Sequence, residues 1–227
     1  MTPGEILLIV LFGTLAGFDT VSFPQGMISR PIVAATLGGA ATGDAGLGVL
    51  CGAILECFAV ETLPVGASRY PEWGSASVVA GALFADERVM AGGALVIAVV
   101  VGLAGAWLGG WSMVQLRTLN AKRARKAQEA VARGEVHVIR QFQLTGLASD
   151  LVRATALTLL LLAVALPLRD TSILSWSHSL GTTRLIVAVI AAAVAASAVW
   201  KHFSTIAYAR SIFAAALAAG FVLYFLV

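Results

Sequence analysis

Residues 91–115 read AGGALVIAVVVGLAGAWLGGWSMVQ, a run of 25 positions without a charge. As a helix this run is about 37 Å long, against a bilayer hydrocarbon core of about 30 Å. It is predicted to cross a membrane. The remainder of the chain agrees. Of 227 residues, 59% are hydrophobic and 12% charged, with a mean hydropathy of +0.91. A soluble domain carries about 25% charged residues, so a soluble globular protein is disfavoured. Residues 211–227 are also uncharged, and 154–168 and 185–200 are shorter but nearly as apolar. The prediction is an all-α polytopic membrane protein with at least four membrane helices.

Immediately after the first span the chain turns basic. Seven of its fifteen Lys and Arg residues fall within 117–140, RTLNAKRARKAQEAVARGEVHVIR. Short loops rich in Lys and Arg remain in the cytoplasm, and anionic headgroups attract them; nucleic-acid binding is the weaker reading. The stretch is predicted to be one cytoplasmic helix along or near the membrane surface, with Gly134 able to end it. With 117–140 inside, span 91–115 starts outside, 146–168 runs outward, 184–200 returns and 211–227 ends outside. Trp111 and Trp200 then fall near the inner interface, where indole rings concentrate.

The N-terminal third is of another kind. Its uncharged runs are short: 13 residues at 6–18, 13 at 31–43, 11 at 45–55 and 13 at 73–85. Runs of 10–14 apolar residues suggest re-entrant or broken helices rather than full spans. Asp19, Arg30, Asp44, Glu56 and Glu61 stand between them. Irregular backbone at membrane depth survives only where protein or a watery cavity surrounds it, and transporters place substrate sites at such interruptions. Residues 1–90 therefore read as a broken-helix region with the substrate site, and 91–227 as a continuous transmembrane region. Three pairs of glycines four apart, Gly13 with Gly17, Gly48 with Gly52 and Gly105 with Gly109, suit close helix packing. Met1-Thr2-Pro3-Gly4-Glu5 lacks the basic start of a secretory signal. Cys51 and Cys57 read as packing residues, and the dispersed His137, His178 and His202 as loop residues fitting no metal site. No metal or other cofactor is implied.

The residues able to carry chemistry cluster in ILECFAVETLPVGASRYPEWG, 54–74. Glu56 ends an apolar helix-like run, where a carboxylate is costly without a partner or a cavity. It reads either as one member of a pair or as a hydrogen-bond acceptor for a polar substrate. Pro64-Val65-Gly66-Ala67-Ser68 reads as an unwound turn with exposed amides and carbonyls, or as an ordinary loop. Arg69 and Glu72 pair if their segment is helical, and Glu61 is a second candidate partner for Arg69. Upstream, Gln25 offers a donor and an acceptor. Arg30, preceding Pro31, is predicted to be extended at a helix start, and Asp44 to cap the helix that follows.

These motifs resemble the membrane subunit, enzyme IIC, of mannose-type sugar phosphotransferase systems. The resemblance rests on ISRPIVAATLGGAATGDAGLGVLCGAILE (28–56), LPVGAS (63–68) and Pro71-Glu72, and covers about 19–85. Arg30-Pro31, Gly43-Asp44, Leu55-Glu56, the Pro64 turn and Pro71-Glu72 occur in the family's order. The resemblance implies a non-catalytic subunit with no phosphorylated residue of its own. It implies a IID membrane partner, soluble IIA and IIB phosphate carriers, a hexose substrate and a trimer of IIC–IID pairs in the bacterial cytoplasmic membrane. Glu56 and the turn of Val65, Gly66, Ala67 and Ser68 become the sugar-contact candidates, with Gln25 beside them. Glu61 and Arg69 stand where relatives carry small or apolar residues, which suggests an amino or acidic sugar unless the two cancel. A non-transporting sensing or assembly subunit and an ion-coupled carrier using Glu56 are the alternatives.

Overall fold

The computed structural model describes residues 1–60, 69–86 and 92–226, apart from the side chains at 169–170, 172–175, 202–203, 221 and 223–226. Its described residues form nine helices: α1 (Pro3–Asp19), α2 (Pro31–Ala41), α3 (Ala45–Ala59), α4 (Trp73–Ala85), α5 (Gly92–Lys126), α6 (Gln128–Ala132), α7 (Val136–Ser175), α8 (Leu180–Phe203) and α9 (Ala209–Leu226). The fold is all-helical, as expected.

Local chemistry sets the helix starts. Thr2 and Glu5 form a reciprocal capping box ahead of α1, with Pro3 in the first turn. Arg30 is extended (φ −65°, ψ 135°) and Pro31 opens α2. Asp44 caps α3 by accepting from the Leu47 amide at 2.9 Å, as its position after Gly43 predicted. Glu72 caps α4 by accepting from the Ser75 amide at 3.1 Å.

The short runs become short helices. α2 has 11 residues and α3 has 15, about 16 and 22 Å long, so neither reaches across a 30 Å core. They fold back on each other through Thr42, Gly43 and Asp44, with Gly43 at φ 106°. Their backbones nearly touch: a Cβ on Gly39 would lie 2.7 Å from the Gly48 Cα. All three glycine pairs flagged in the sequence sit at helix contacts.

α4 is the centre of the molecule. Every residue from Gly74 to Ala85 is buried, as expected of a helix apolar on all sides. It packs against α1, α2, α3, α5 and α7. Since α1 also packs on α7, residues 1–90 and 91–227 differ in sequence character but share one core.

α5, α7 and α8 are long and apolar enough to cross a membrane by length and composition; the fourth expected span, 211–227, falls on α9. The basic segment departs from expectation. Instead of one surface helix over 117–140, α5 continues unbroken to Lys126, α6 forms a short cap, and α7 starts at Val136. The helix-forming residues after Gln115 extend the spanning helix, and Gly134 at φ 72° supplies the stop before α7.

Candidate functional site

Four carboxylates among the described residues are enclosed by otherwise apolar helices: Asp19, Glu72, Asp86 and Asp150. Asp19, Glu72 and Asp150 are 2%, 0% and 2% exposed, and each organises a different junction. Asp19, the last residue of α1, accepts from the Gly26 amide (2.6 Å), the Ser29 amide (2.9 Å) and the Ser29 hydroxyl (2.9 Å). It thereby holds the 20–30 loop against the helix it leaves.

Glu72 joins three helices. Its Oε1 accepts from the Ser75 amide and, at 3.3 Å, from the Thr20 hydroxyl at the end of α1. Its own amide donates to the Ala106 carbonyl of α5 at 2.8 Å, and its Oε2 is buried without a hydrogen-bond partner. Asp150 of α7 accepts from Ser22 (2.5 Å) and from Arg153 Nε (2.7 Å). Arg153 in turn donates to the Gly17 carbonyl (3.2 Å) and to the Ser112 hydroxyl (3.4 Å). These groups lie at the level of α5 residues 106–112, where they form a polar layer.

A cavity of about 70 Å³ adjoins this layer, lined by Thr20, Ser29, Arg30, Ala59, Tyr70 and Trp73 with Pro31 and Pro71. It is smaller than the roughly 300 Å³ of an ordinary small-molecule site. Trp73 Nε1 is buried and unpartnered. The Arg30 guanidinium is bonded to the Glu56 carboxylate, joining the start of α2 to the end of α3. The second Glu56 oxygen accepts from the Ile32 amide at 3.2 Å.

Of the residues singled out from the sequence, Glu56 thus takes the paired role, with Arg30. Gln25 is exposed, at φ 59°, and its Nε2 donates to the Val21 carbonyl within its own loop. No ion pair joins Arg69 to Glu72 among the described residues. That pairing required a helical segment, but α4 begins at Trp73 with Glu72 as its cap, and Arg69 lies ahead of it. The Arg69 guanidinium lies 5.7 Å over the Trp107 ring of α5 instead. Asp44 is confined to capping α3, at the far end of the α2–α3 hairpin from Arg30. Glu61 and the turn of Val65, Gly66, Ala67 and Ser68 lie outside the described residues. No group of three or more metal-ligating side chains converges among the described residues.

Sequence reasoning missed Thr20, Ser29, Tyr70 and Trp73 as cavity walls, and the Asp150–Arg153 junction. Tyr70 is fixed by Arg117 of α5, whose Nη2 donates to its hydroxyl at 2.7 Å and whose guanidinium lies 5.0 Å over its ring. Only the position of Asp19 and Asp150 beside long apolar runs signalled buried charge.

The fold and this polar layer define a multi-pass helical membrane protein with short, interrupted helices around a charged interior. A family model described as the sorbose-specific IIC component of the phosphotransferase system matches residues 4–176. The chain belongs to that family, the mannose-type IIC membrane subunits. It is 28% identical over 167 residues, 73% of its length, to the fructose permease IIC component of Bacillus subtilis. To the mannose-specific EIIC component of Escherichia coli K12 it is 24% identical over 153 residues, and to the sorbose-specific EIIC component of Klebsiella pneumoniae 28% over 163. The matches span 60%, 56% and 56% of those relatives' lengths. Among solved structures, one titled "Structure of membrane protein" aligns with TM-score 0.75 at 20% identity, over 97% of this chain and 88% of that one. A mannose transporter ManYZ chain, solved with microcin E492, aligns with TM-score 0.60 at 17% identity, over 97% and 87%. These two likenesses bear on the fold alone.

Proposed function

We propose that this chain is a sugar-translocating IIC subunit of a mannose-type phosphotransferase system in a bacterial cytoplasmic membrane. It works with a IID membrane subunit, in a trimer of such pairs, and delivers a hexose or amino sugar to soluble IIA and IIB phosphate carriers. The observation that carries this reading is the family match over residues 4–176. The cavity at Thr20, Arg30, Tyr70 and Trp73 supports it, because it lies where four short helices are interrupted. In this arrangement Glu56 is held by Arg30. Sugar hydroxyls replace that pairing as the α2–α3 hairpin, placed re-entrantly in the bilayer, moves to open the cavity. The turn of Val65, Gly66, Ala67 and Ser68 supplies backbone groups to the same ligand.

The test is sugar uptake with phosphorylation in membranes containing this chain, a IID subunit and the soluble carriers. Uptake of phosphorylated hexose that requires all components supports the reading. Release of unmodified sugar driven by a proton gradient would replace it with the ion-coupled carrier.

A further inference from the structure

α5 and α7, at 35 and 40 residues, are longer than the roughly 20 that a bilayer core requires. The indole side chains of Trp107 and Trp111 are exposed one turn apart on α5, as at a bilayer interface. Gly92 to Trp111 is 20 residues, about 30 Å of helix, which matches the hydrocarbon core. The remaining 15 residues to Lys126 then project about 22 Å past it. The headgroup layer is only about 5–8 Å deep. With Trp111 at that boundary, Lys122, Arg125 and Lys126 fall roughly 10 Å beyond the lipid, near one Debye length at physiological salt. The first turns of α7 run back beside them, and α6 closes the tip, making a helical hairpin.

This hairpin is strongly basic. Residues 117–140 hold seven Lys and Arg against two acidic residues, Glu129 and Glu135. Glu135 is engaged by Arg133 at 2.8 Å and faces His137 at 3.7 Å. Lys122, Arg125, Lys126 and Arg140 are exposed and have no ion-pair partner among the described residues. Val131, Val136, Ile139 and Leu144 are exposed as well, Val136 at 75%. Between α5 and α7 runs a groove of about 550 Å³, with Arg123 and Lys126 on one wall and Gln141, Phe142 and Thr145 on the other. Exposed apolar side chains ringed by unpaired positive charge suit an interaction surface.

We infer that the α5–α6–α7 hairpin is the docking surface for a soluble protein with an acidic face. On the reading proposed above, on which this inference rests, that partner is the soluble subunit bearing the phosphate. The partner's acidic rim meets Lys122, Arg125, Lys126 and Arg140, and an apolar patch covers Val136 and Ile139. A phosphorylated partner adds oxygens that strengthen such contacts. A lipid surface would occupy the same charges, but the hairpin's reach places them beyond the headgroups.

The test uses the full chain with its IID subunit in nanodiscs and purified soluble IIA and IIB as the probe. Binding is expected to weaken tenfold or more in K122E/R125E/K126E/R140E and to fall with rising salt. In phosphorylation assays the variant's KM for the soluble carrier rises by a similar factor, while kcat at saturating carrier is unchanged. The uncharged V136S/I139S variant weakens binding at every salt concentration. Unchanged carrier affinity in both variants overturns the docking surface even when the wild type phosphorylates sugar. Absence of both carrier binding and phosphorylation in the wild type overturns the functional reading with it. A fluorophore at V136C quenched by spin-labelled headgroups in phosphatidylglycerol nanodiscs assigns the hairpin to lipid and overturns the proposal.

Discussion

Arg30 and Glu56 are bonded to each other where α2 begins and α3 ends, beside the cavity that Arg30 helps to line. The carboxylate is occupied on both oxygens, by a guanidinium and by the Ile32 amide. A substrate that uses Glu56 must exchange for these partners. The E56Q substitution keeps the shape and removes the charge that holds Arg30. We expect normal assembly and at least a tenfold loss of sugar uptake. A double-mutant cycle with R30Q should give a coupling of about 1 kcal/mol in thermal unfolding, below the value for a fully buried pair because Arg30 is half-exposed. Uptake at the wild-type level would remove Glu56 from the site.

Glu72 has a different duty. It is fully enclosed, caps α4 and receives Thr20 from α1. The E72Q variant retains an acceptor oxygen for both donors and should fold. The E72A variant loses the cap and the α1 link and leaves a void beside Gly109, at a cost of about 2 kcal/mol or more. Melting temperatures in detergent read the difference, and equal values for the two variants would contradict the capping role.

Much of this arrangement was legible in the sequence. Pro31 and Gly43-Asp44 mark helix ends through fixed backbone chemistry, and those ends fall where they should; the capping box of Thr2 and Glu5 was not read from the sequence. The short apolar runs give short helices for the same reason. The partners of Glu56, Arg69 and Glu72 were not legible in that way. Arg30 lies 26 residues from Glu56, and Trp107 lies 38 from Arg69; nothing local in the chain specifies such distant contacts. The pairing of Arg69 with Glu72 was conditional on a helical 69–72, and that condition is not met, because Pro71 and the cap at Glu72 keep Arg69 outside α4. The basic segment was misread in shape because its composition suits both a surface helix and an extension of α5.

Glycine at position 81 is required by contact. A Cβ there would sit 2.1 Å from the Ala35 carbonyl oxygen of α2 and 2.7 Å from the Ala35 Cα. Both are backbone atoms, so relief requires the α2–α4 pair to separate. We expect G81A to destabilise the protein by about 1–3 kcal/mol and G81L to prevent folding. G220A, where no atom of the described residues lies within 4 Å of the added group, should not lower the melting temperature, since Ala is the better helix former by about 0.5–1 kcal/mol.

Cys51 and Cys57 lie on the same helix in unlike surroundings. Cys51 is fully buried against the core, and Cys57 is half-buried one residue from Glu56. Thiol reactivity follows access and thiolate character. A water-soluble maleimide should therefore modify Cys57 alone in the folded protein and both cysteines after denaturation. Mass spectrometry of the labelled chain decides this, and modification of Cys51 at a comparable rate would show that α3 does not pack as described.

Asp150 and Arg153 form the most enclosed ion pair between two side chains among the described residues, at 3% and 8% exposed. The pair is also shared among helices: Ser22 follows α1, Gly17 belongs to α1, and Ser112 belongs to α5. Removing the carboxylate leaves a buried guanidinium whose remaining partners are neutral. The loss for D150A is expected to be about 3–5 kcal/mol, since an uncompensated buried charge costs more than the pair itself contributes. D150A with R153M removes both charges and should recover much of that loss, because an apolar replacement of a buried pair is close to neutral. Unfolding in mixed micelles measures both variants against the wild type. If the double variant is no more stable than D150A, the cost arises from the Ser22 contact that holds the loop after α1, and not from the unpaired arginine.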